Sequence, residues 1–335
     1  MIREAIDKVV RRIDLGQGEM AAVFEEIMSG EATPVQIAAF ITALRMKGET
    51  VDEITAAAKV MRKKAAAISF GEKEDLIDTC GTGGDSSNTF NISTAAAFVV
   101  AGCGIKVAKH GNRSVSSQCG SADVLEELGV KIDLPPEKVK RCIKKIGIGF
   151  MFAPVFHGAM KFAAAPRKEI GIRTIFNILG PLSNPAGAAY QIMGVFKPEL
   201  TETMAKVLAN LGARAAMIVH SEDGLDEISI SGKTKITEYK NRKIRSYHVQ
   251  PKNFGLKRAN LYSVRGGDKK ANARIILDIL SGKRGPQADI VLMNAGAALV
   301  LMDKAKDFRD GVKLAGEAID SGRALEKLKL LKLEK

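Results

Sequence analysis

The sequence predicts an α/β fold: a large domain around a central, mainly parallel sheet, with a small all-helical part before it. Three observations carry this. The first seventy residues read as successive capped helices with no strand patterning. From about residue 75, short aliphatic runs alternate with capped helices, the pattern of strand–helix–strand units. The last sixty residues return to helices. With 335 residues the chain can build one large or two ordinary domains with a proper core.

Element by element, "EMAAVFEEIMSG" makes a short helix. "EATPVQIAAFITALRMKGE" is explicit. Thr33 caps, Pro34 suits the first helical position and Gln36 completes a capping box. Ile37, Phe40, Ile41 and Leu44 fall on one face, and Gly48 suits the stop. "TVDEITAAAKVMRKK" repeats the logic with Thr50 and Glu53. Then come "LIDTC", a glycine loop, "TAAAFVVAGCG" and "IKVAKHGN". These lead into "SADVLEELG", "PPEKVKRCIKKIG" and "IGFMFAP". "APRKEIGIRTIFNILGPLSNPAG" reads as one helix carrying Ile170, Ile175, Phe176 and Leu179 beside Arg167 and Arg173. It ends in a Gly-Pro turn and an Asn-Pro turn. "ELTETMAKVLANLGA" precedes the strand "AAMIVHSEDG", and "KITEYKNRKIRSYHV" reads as an exposed hairpin or meander.

Composition narrows the class. Hydrophobic residues make up 46% and charged residues 27%, as in a soluble globular chain. No apolar run approaches the roughly 18 residues of a membrane span, and "MIREAIDKVVRRIDLG" is no signal peptide. The expectation is a cytoplasmic protein with no membrane partner. Cys80, Cys103, Cys119 and Cys142 form no CxxC pair and suit small buried hydrophobes; Cys80 is placed to line a site without doing chemistry. The net charge of +13 fits a Lys-rich solvated surface whose field also attracts a small polyanion. A nucleic-acid surface is the alternative, but no basic block interleaves with aromatics, which argues against nucleic acid as a partner.

Three stretches carry chemistry. In "DTCGTGGDSSNTFNIST" three glycines crowd between a short apolar run and a helix whose first turn holds Ser93 and Thr94. Glycines let the backbone approach an anion, and a helix N-terminus offers unpaired N–H groups. An ordinary glycine-rich turn with a Ser/Thr cap explains the loop alone equally well. In "KVAKHGNRSVSSQCGSADV" the run "IKVA" reads as a strand. Lys109 to Arg113 leave its end as cationic clamps, and Ser121 caps the next helix. Two such loops suit a ligand with two phosphate groups. In "IVHSEDGLDEISI" a strand ends near His220, and a loop presents Glu222, Asp223, Asp226 and Glu227. Such carboxylates are an oxygen set for Mg²⁺ bridging to substrate phosphate, or an acidic surface turn. His220 and His248 read as structural. The residues alone lead to a Mg²⁺-assisted enzyme acting on a phosphorylated small molecule, with no obvious protein nucleophile.

The ordered motifs "GTGGD" (81–85), "NIST" (91–94), "KHGNR" (109–113), "GSAD" (120–123), "RTIFNILGPLSNPA" (173–186) and "GLDEIS" (224–229) resemble the anthranilate phosphoribosyltransferase family. The likeness extends to "VLMNAGAAL" and the tail "AIDSGRALEKL". It implies a fold like that of nucleoside phosphorylases. A helical domain at 1–70, joined by a helical insertion at about 167–188, would pack on a phosphoribosyl-binding α/β domain at 71–166 and 189–335. Family members are usually homodimers that meet through the helical domain. The substrates would be anthranilate and phosphoribosyl pyrophosphate.

By motif match Gly81, Gly84, Asp85, Thr89, Asn91, Ile92, Ser93 and Thr94 would hold phosphoribosyl pyrophosphate. Lys109, Gly111, Arg113, Ser117 and Ser121 would line the same substrate. Ser93, Asp226 and Glu227 would bind Mg²⁺. Asn112 and Arg167 would contact anthranilate, with Gly81 where the substrates meet and His110 and His157 on the anthranilate side. Arg167 would hold the carboxylate, and His110 is the candidate proton acceptor. Two rivals share the fold. A nucleoside phosphorylase would spell the lysine loop differently and need a nucleobase pocket. A nucleic-acid-binding relative would have no use for the glycine, "NIST" and Asp-Glu motifs. The sequence carries no signal for association with an anthranilate synthase.

Overall fold

Capping chemistry and apolar spacing account for the first helices of the computed structural model, which describes residues 1–70, 74–83, 87–114 and 119–335. Four helices open the chain: α1 (Ile2–Val10), α2 (Gln17–Ser29), α3 (Pro34–Lys47) and α4 (Val51–Lys64). Both expected boxes form. Thr33 Oγ1 accepts from Gln36 N at 3.3 Å, and Thr50 Oγ1 accepts from Glu53 N at 3.2 Å. Ile37, Phe40, Ile41 and Leu44 are all buried. Glu53 does more than cap: fully buried, it also accepts from Leu15 N and from the Lys47 ammonium at 2.9 Å. A buried carboxylate without such partners would be costly.

The α/β part follows in chain order. It comprises β1 (Leu76–Gly81), α5 (Ile92–Gly102), β2 (Lys106–Gly111), α6 (Ser121–Glu127), α7 (Pro136–Lys145) and β3 (Ile148–Phe152). Next come α8 (Ala153–Phe156), α9 (Lys161–Ile170) and α10 (Phe176–Leu182), then β4 (Tyr190–Gly194), α11 (Leu200–Asn210) and β5 (Ala215–Ser221). The hairpin β6 (Thr234–Lys240) and β7 (Lys243–Val249) precedes α12 (Lys269–Leu280), α13 (Pro286–Leu301), α14 (Phe308–Asp320) and α15 (Arg323–Leu333).

The strands form one sheet in the order β3-β2-β1-β4-β5-β6-β7. The first five are parallel, and β6 and β7 add on antiparallel. Strand β1 lies between β2 and β4, so the chain winds one way from β1 to β3 and the other way from β4 to β5. That reversal is a topological switch point, where crevices open beyond the carboxyl ends of parallel strands. Alternation along β5 divides the core. Ala215, Met217 and Val219 join the cluster of α5 and α13–α15, while Ala216 and Ile218 face the cluster of α1–α4, α10 and α11. The outer strand β7 is mostly exposed and carries Lys243 and Arg245, charges that discourage further pairing at that edge.

Three expectations need correction. The stretch 165–187 is not one helix. It spans α9 and α10, which are broken apart at Gly171, whose φ of +67° ends α9. Gly180 and Pro181 lie inside α10 instead of forming a turn, and α9 begins at Lys161, so position 167 falls within it. Strand β2 runs on to Gly111, because Lys109 and His110 pair with Phe150 and Met151 of β3. Ser121 is the first helical residue, not the cap. Gly120 takes that place, and its N–H is accepted by Asp123 at 2.9 Å. A backbone strand paired on its outer side overrides the surface preference of lysine.

Candidate active site

The loops after β1, β2, β4 and β5 converge at the switch point. The 225–227 loop lies directly over the end of β4: a Cβ on Gly194 would sit 1.6 Å from the Asp226 carbonyl oxygen, so only glycine fits there. This brings Asp226 and Glu227 to the other two loops. Gly83 N donates to Asp226 Oδ2 at 3.0 Å, and Ser93 N donates to Glu227 Oε1 at 3.1 Å. The second bond sets a carboxylate on the amino end of α5, where the helix dipole favours negative charge. The four expected acids therefore separate. Asp223 is taken by the hydroxyls of Ser221, Ser229 and Ser231 and is held below its ordinary range, while Glu222 faces solvent.

Lysine 109 comes from the other side. It is buried, and its ammonium donates to Thr79 O and, at 3.4 Å, to Ser93 Oγ. Burial pulls its pKa down, and Asp78 opposes that. Thr94 is buried, and among the described residues its Oγ1 has no partner. Asn91 is fixed by Cys119 O at 3.1 Å and Asn272 Nδ2 at 3.2 Å. Thr89 forms a bridge to Arg265, and Ile92 anchors the first turn of α5 in the core. Gly81 and Gly111 end β1 and β2. Asn112 O accepts from Ser121 Oγ at 3.3 Å, folding the loop back on α6. The Arg113 guanidinium is engaged by Asp123 and Glu126 at 2.9 Å each. Gly84, Asp85 and Ser117 lie outside the described residues.

Two imidazoles adjoin this crevice. His110 and His157 lie with ring centroids 5.0 Å apart. Both are buried, and among the described residues neither Nε2 has a hydrogen-bond partner. Burial, and then the neighbouring ring, pushes His110 down to about 3; burial pushes His157 down to about 4. Both are neutral at pH 7. Arg167, on α9, lies over the ring of Phe176 at 5.0 Å. No carboxylate among the described residues is within ion-pairing distance, Glu169 included. Burial lowers its pKa, so this cation is partly desolvated with no matching anion among the described residues. Cys80 accepts from Gln191 Nε2 at 3.0 Å, and burial drives its thiol well up, which leaves it unreactive. His220 is structural, its Nδ1 2.8 Å from Val195 O. His248 stands exposed on β7.

Residues 3–65 match the helical bundle domain of the glycosyl transferase family, and residues 73–325 match its α/β domain. An anthranilate phosphoribosyltransferase from Geobacter sulfurreducens is 57% identical over 99% of this chain and 98% of its own. The chain belongs to the anthranilate phosphoribosyltransferase family. A crystal structure of the Thermus thermophilus family member superposes with a TM-score of 0.92 at 42% identity, covering 98% of both chains. The Saccharomyces cerevisiae member, solved in complex with PRPP and Mg, superposes with a TM-score of 0.91 at 29% identity over 99% of this chain and 97% of its own. The same yeast protein is also known with 4-fluoroanthranilate.

Sequence reading left two buried residues of this family member without a role. Asp78 is fully buried, and burial raises it to about 6 against the pull of Lys109 and Asn184. Asn184 Nδ2 donates to Asp78 Oδ2 at 2.8 Å. The available signal was an acid amid the aliphatics of "LIDTC".

Proposed function

We propose that this chain transfers the phosphoribosyl group of phosphoribosyl pyrophosphate to the amine of anthranilate, releasing pyrophosphate, in tryptophan biosynthesis. The observation that carries the reading is the meeting of Asp226, Glu227, the amino end of α5 and Lys109 in one crevice. The family membership and the yeast complexes support the same substrates. The donor set is all oxygen: two carboxylates and the Ser93 hydroxyl. Mg²⁺ takes one or two carboxylates together with substrate phosphates, so these residues fit it. Bound there, Mg²⁺ would offset charge on the departing pyrophosphate.

The chain's own groups do the rest. Lys109 and the α5 N–H groups stabilise negative charge that grows as the bond from ribose C1 to pyrophosphate breaks. Gly81, Thr89, Asn91, Ser93 and Thr94 cradle the substrate; the resemblance adds Gly84 and Asp85, which lie outside the described residues. The desolvated Arg167 holds the anthranilate carboxylate and orients the amine toward the opposite face of C1, where placement matters more than activation. Neutral His110, with a vacant Nε2, accepts the proton. An arylammonium is acidic enough to give it to so weak a base. Residues 1–70, with the insertion that begins at α9 and runs to about 188, form the helical domain, and the rest of 71–335 the phosphoribosyl-binding domain. Among the described residues no helix is long and apolar enough to cross a membrane. The protein acts in the cytoplasm as a homodimer joined through its helical domain.

Loss of anthranilate fluorescence on adding phosphoribosyl pyrophosphate and Mg²⁺ tests the function. Absence of consumption, with DNA binding that falls steeply with salt, would replace it with the nucleic-acid-binding alternative.

A further inference from the structure

The ladder between β1 and β2 is unusually short. It pairs Leu76 with Lys106 and Ile77 with Val107 and then stops. The β1–β4, β2–β3 and β4–β5 ladders each run for five pairs. Beyond Ile77 the two central strands are joined by side chains instead. Asp78 Oδ1 accepts from His110 N at 3.3 Å. Asn184 Nδ2 donates to Asp78 Oδ2 and to Ala108 O, both at 2.8 Å. Lys109 Nζ donates to Thr79 O. Asp78, Lys109 and Asn184 are all buried.

Asn184 belongs to a segment whose main chain is gripped from several sides. Pro181 O accepts from Gln191 Nε2 and Leu182 O from Arg62 Nε, each at 2.7 Å. Pro185 O accepts from Ile68 N at 2.9 Å. The segment continues α10, and Arg167 lies against its Phe176. One buried carboxylate thus ties the end of β2, with Lys109 and His110, to the segment leading back to Arg167.

We propose that Asp78, acting through Asn184, is a positioning residue that sets the pyrophosphate-side groups relative to the anthranilate-side groups. It touches neither substrate; the inference rests on the activity proposed above. The chemistry demands a carboxylate. Asp78 accepts on both oxygens, from donors that are themselves fixed: a main-chain N–H and an amide whose oxygen is held by Ala186 N at 2.9 Å. An asparagine there would turn its own NH₂ against either the Asn184 NH₂ or the His110 N–H.

The test is steady-state kinetics with each substrate varied, beside thermal melting. Asp78→Asn should lower kcat at least tenfold while each KM moves less than about threefold, because misalignment is felt mainly in the transition state. If Asp78→Asn does not fold, Asn184→Ala removes the same link, and its kcat should fall alike. A lower melting temperature with unchanged kcat while the variant is folded would overturn the proposal. So would a wild-type kcat in Asn184→Ala. Wild-type turnover in the same assay judges the activity itself; the ratio of variant to wild type judges Asp78.

Discussion

Replacing Gly81 with alanine should disable the acid pair while sparing the fold. A Cβ on Gly81 would lie 2.5 Å from Asp226 Oδ2 and 3.1 Å from its Cγ. Ordinary contact begins near 3.4 Å, so the carboxylate must retreat by close to 0.9 Å. It cannot do so freely, since Oδ2 is bonded to Gly83 N at 3.0 Å and the Asp226 carbonyl is pressed on Gly194. The backbone itself tolerates alanine, because Gly81 is not among the positive-φ residues, and it is exposed at the end of β1. A misplacement of about 1 Å in a reacting constellation removes roughly a hundredfold of rate. Gly81→Ala should therefore cut turnover about a hundredfold and raise the Mg²⁺ concentration needed for half-maximal rate, with a melting temperature near wild type. Fluorescence turnover across a Mg²⁺ titration measures both. A folded variant with wild-type rate and Mg²⁺ dependence would show that the position of Asp226 does not matter to the reaction.

Replacing Asp226 and Glu227 together with alanine should abolish Mg²⁺-dependent turnover in a folded protein; near-normal turnover would remove them from the metal site. Arg167→Ala should raise the anthranilate KM by about ten- to a hundredfold, since a charge-assisted contact contributes roughly 1.5–3 kcal/mol. The KM for phosphoribosyl pyrophosphate should move much less, and equal effects on both would argue for a packing role over Phe176. Acid should destabilise the fold. His110 and His157, depressed to about 3 and 4, contribute stability present above their ordinary 6.5 and lost as pH falls through those values. Asp78, raised to about 6 from 3.8, contributes stability present at low pH and lost as pH rises through 6. Between about pH 6 and pH 4 two imidazoles outweigh one carboxyl, leaving a net loss of ~1.4 kcal/mol per pH unit of acidification. Urea midpoints across that range read this slope, and a flat profile would contradict the burial of the two histidines.

Local chemistry made much of this protein legible in one dimension. Thr33 with Gln36 and Thr50 with Glu53 announce helix starts because a cap's partner is three residues away. The aliphatic runs announce strands because a parallel sheet covered on both faces needs continuous apolar residues. The glycine loop, the lysine loop and the Asp-Glu pair were each visible, and their order carried the family resemblance. The resemblance implied their meeting, but no local pattern shows how it is built. It depends on a strand order that reverses at β1 and on Gly194 letting the 225–227 loop close over β4, contacts between residues far apart in the chain. The break at Gly171 and the extension of β2 through His110 escaped local reading for a related reason: pairing with β3 decides where β2 ends. The roles of Asp78 and Asn184 belong wholly to tertiary structure. Nothing near either residue in sequence supplies the partners that let a carboxylate stay buried between two parting strands. Those partners arrive only when β2 and the segment after α10 fold against β1.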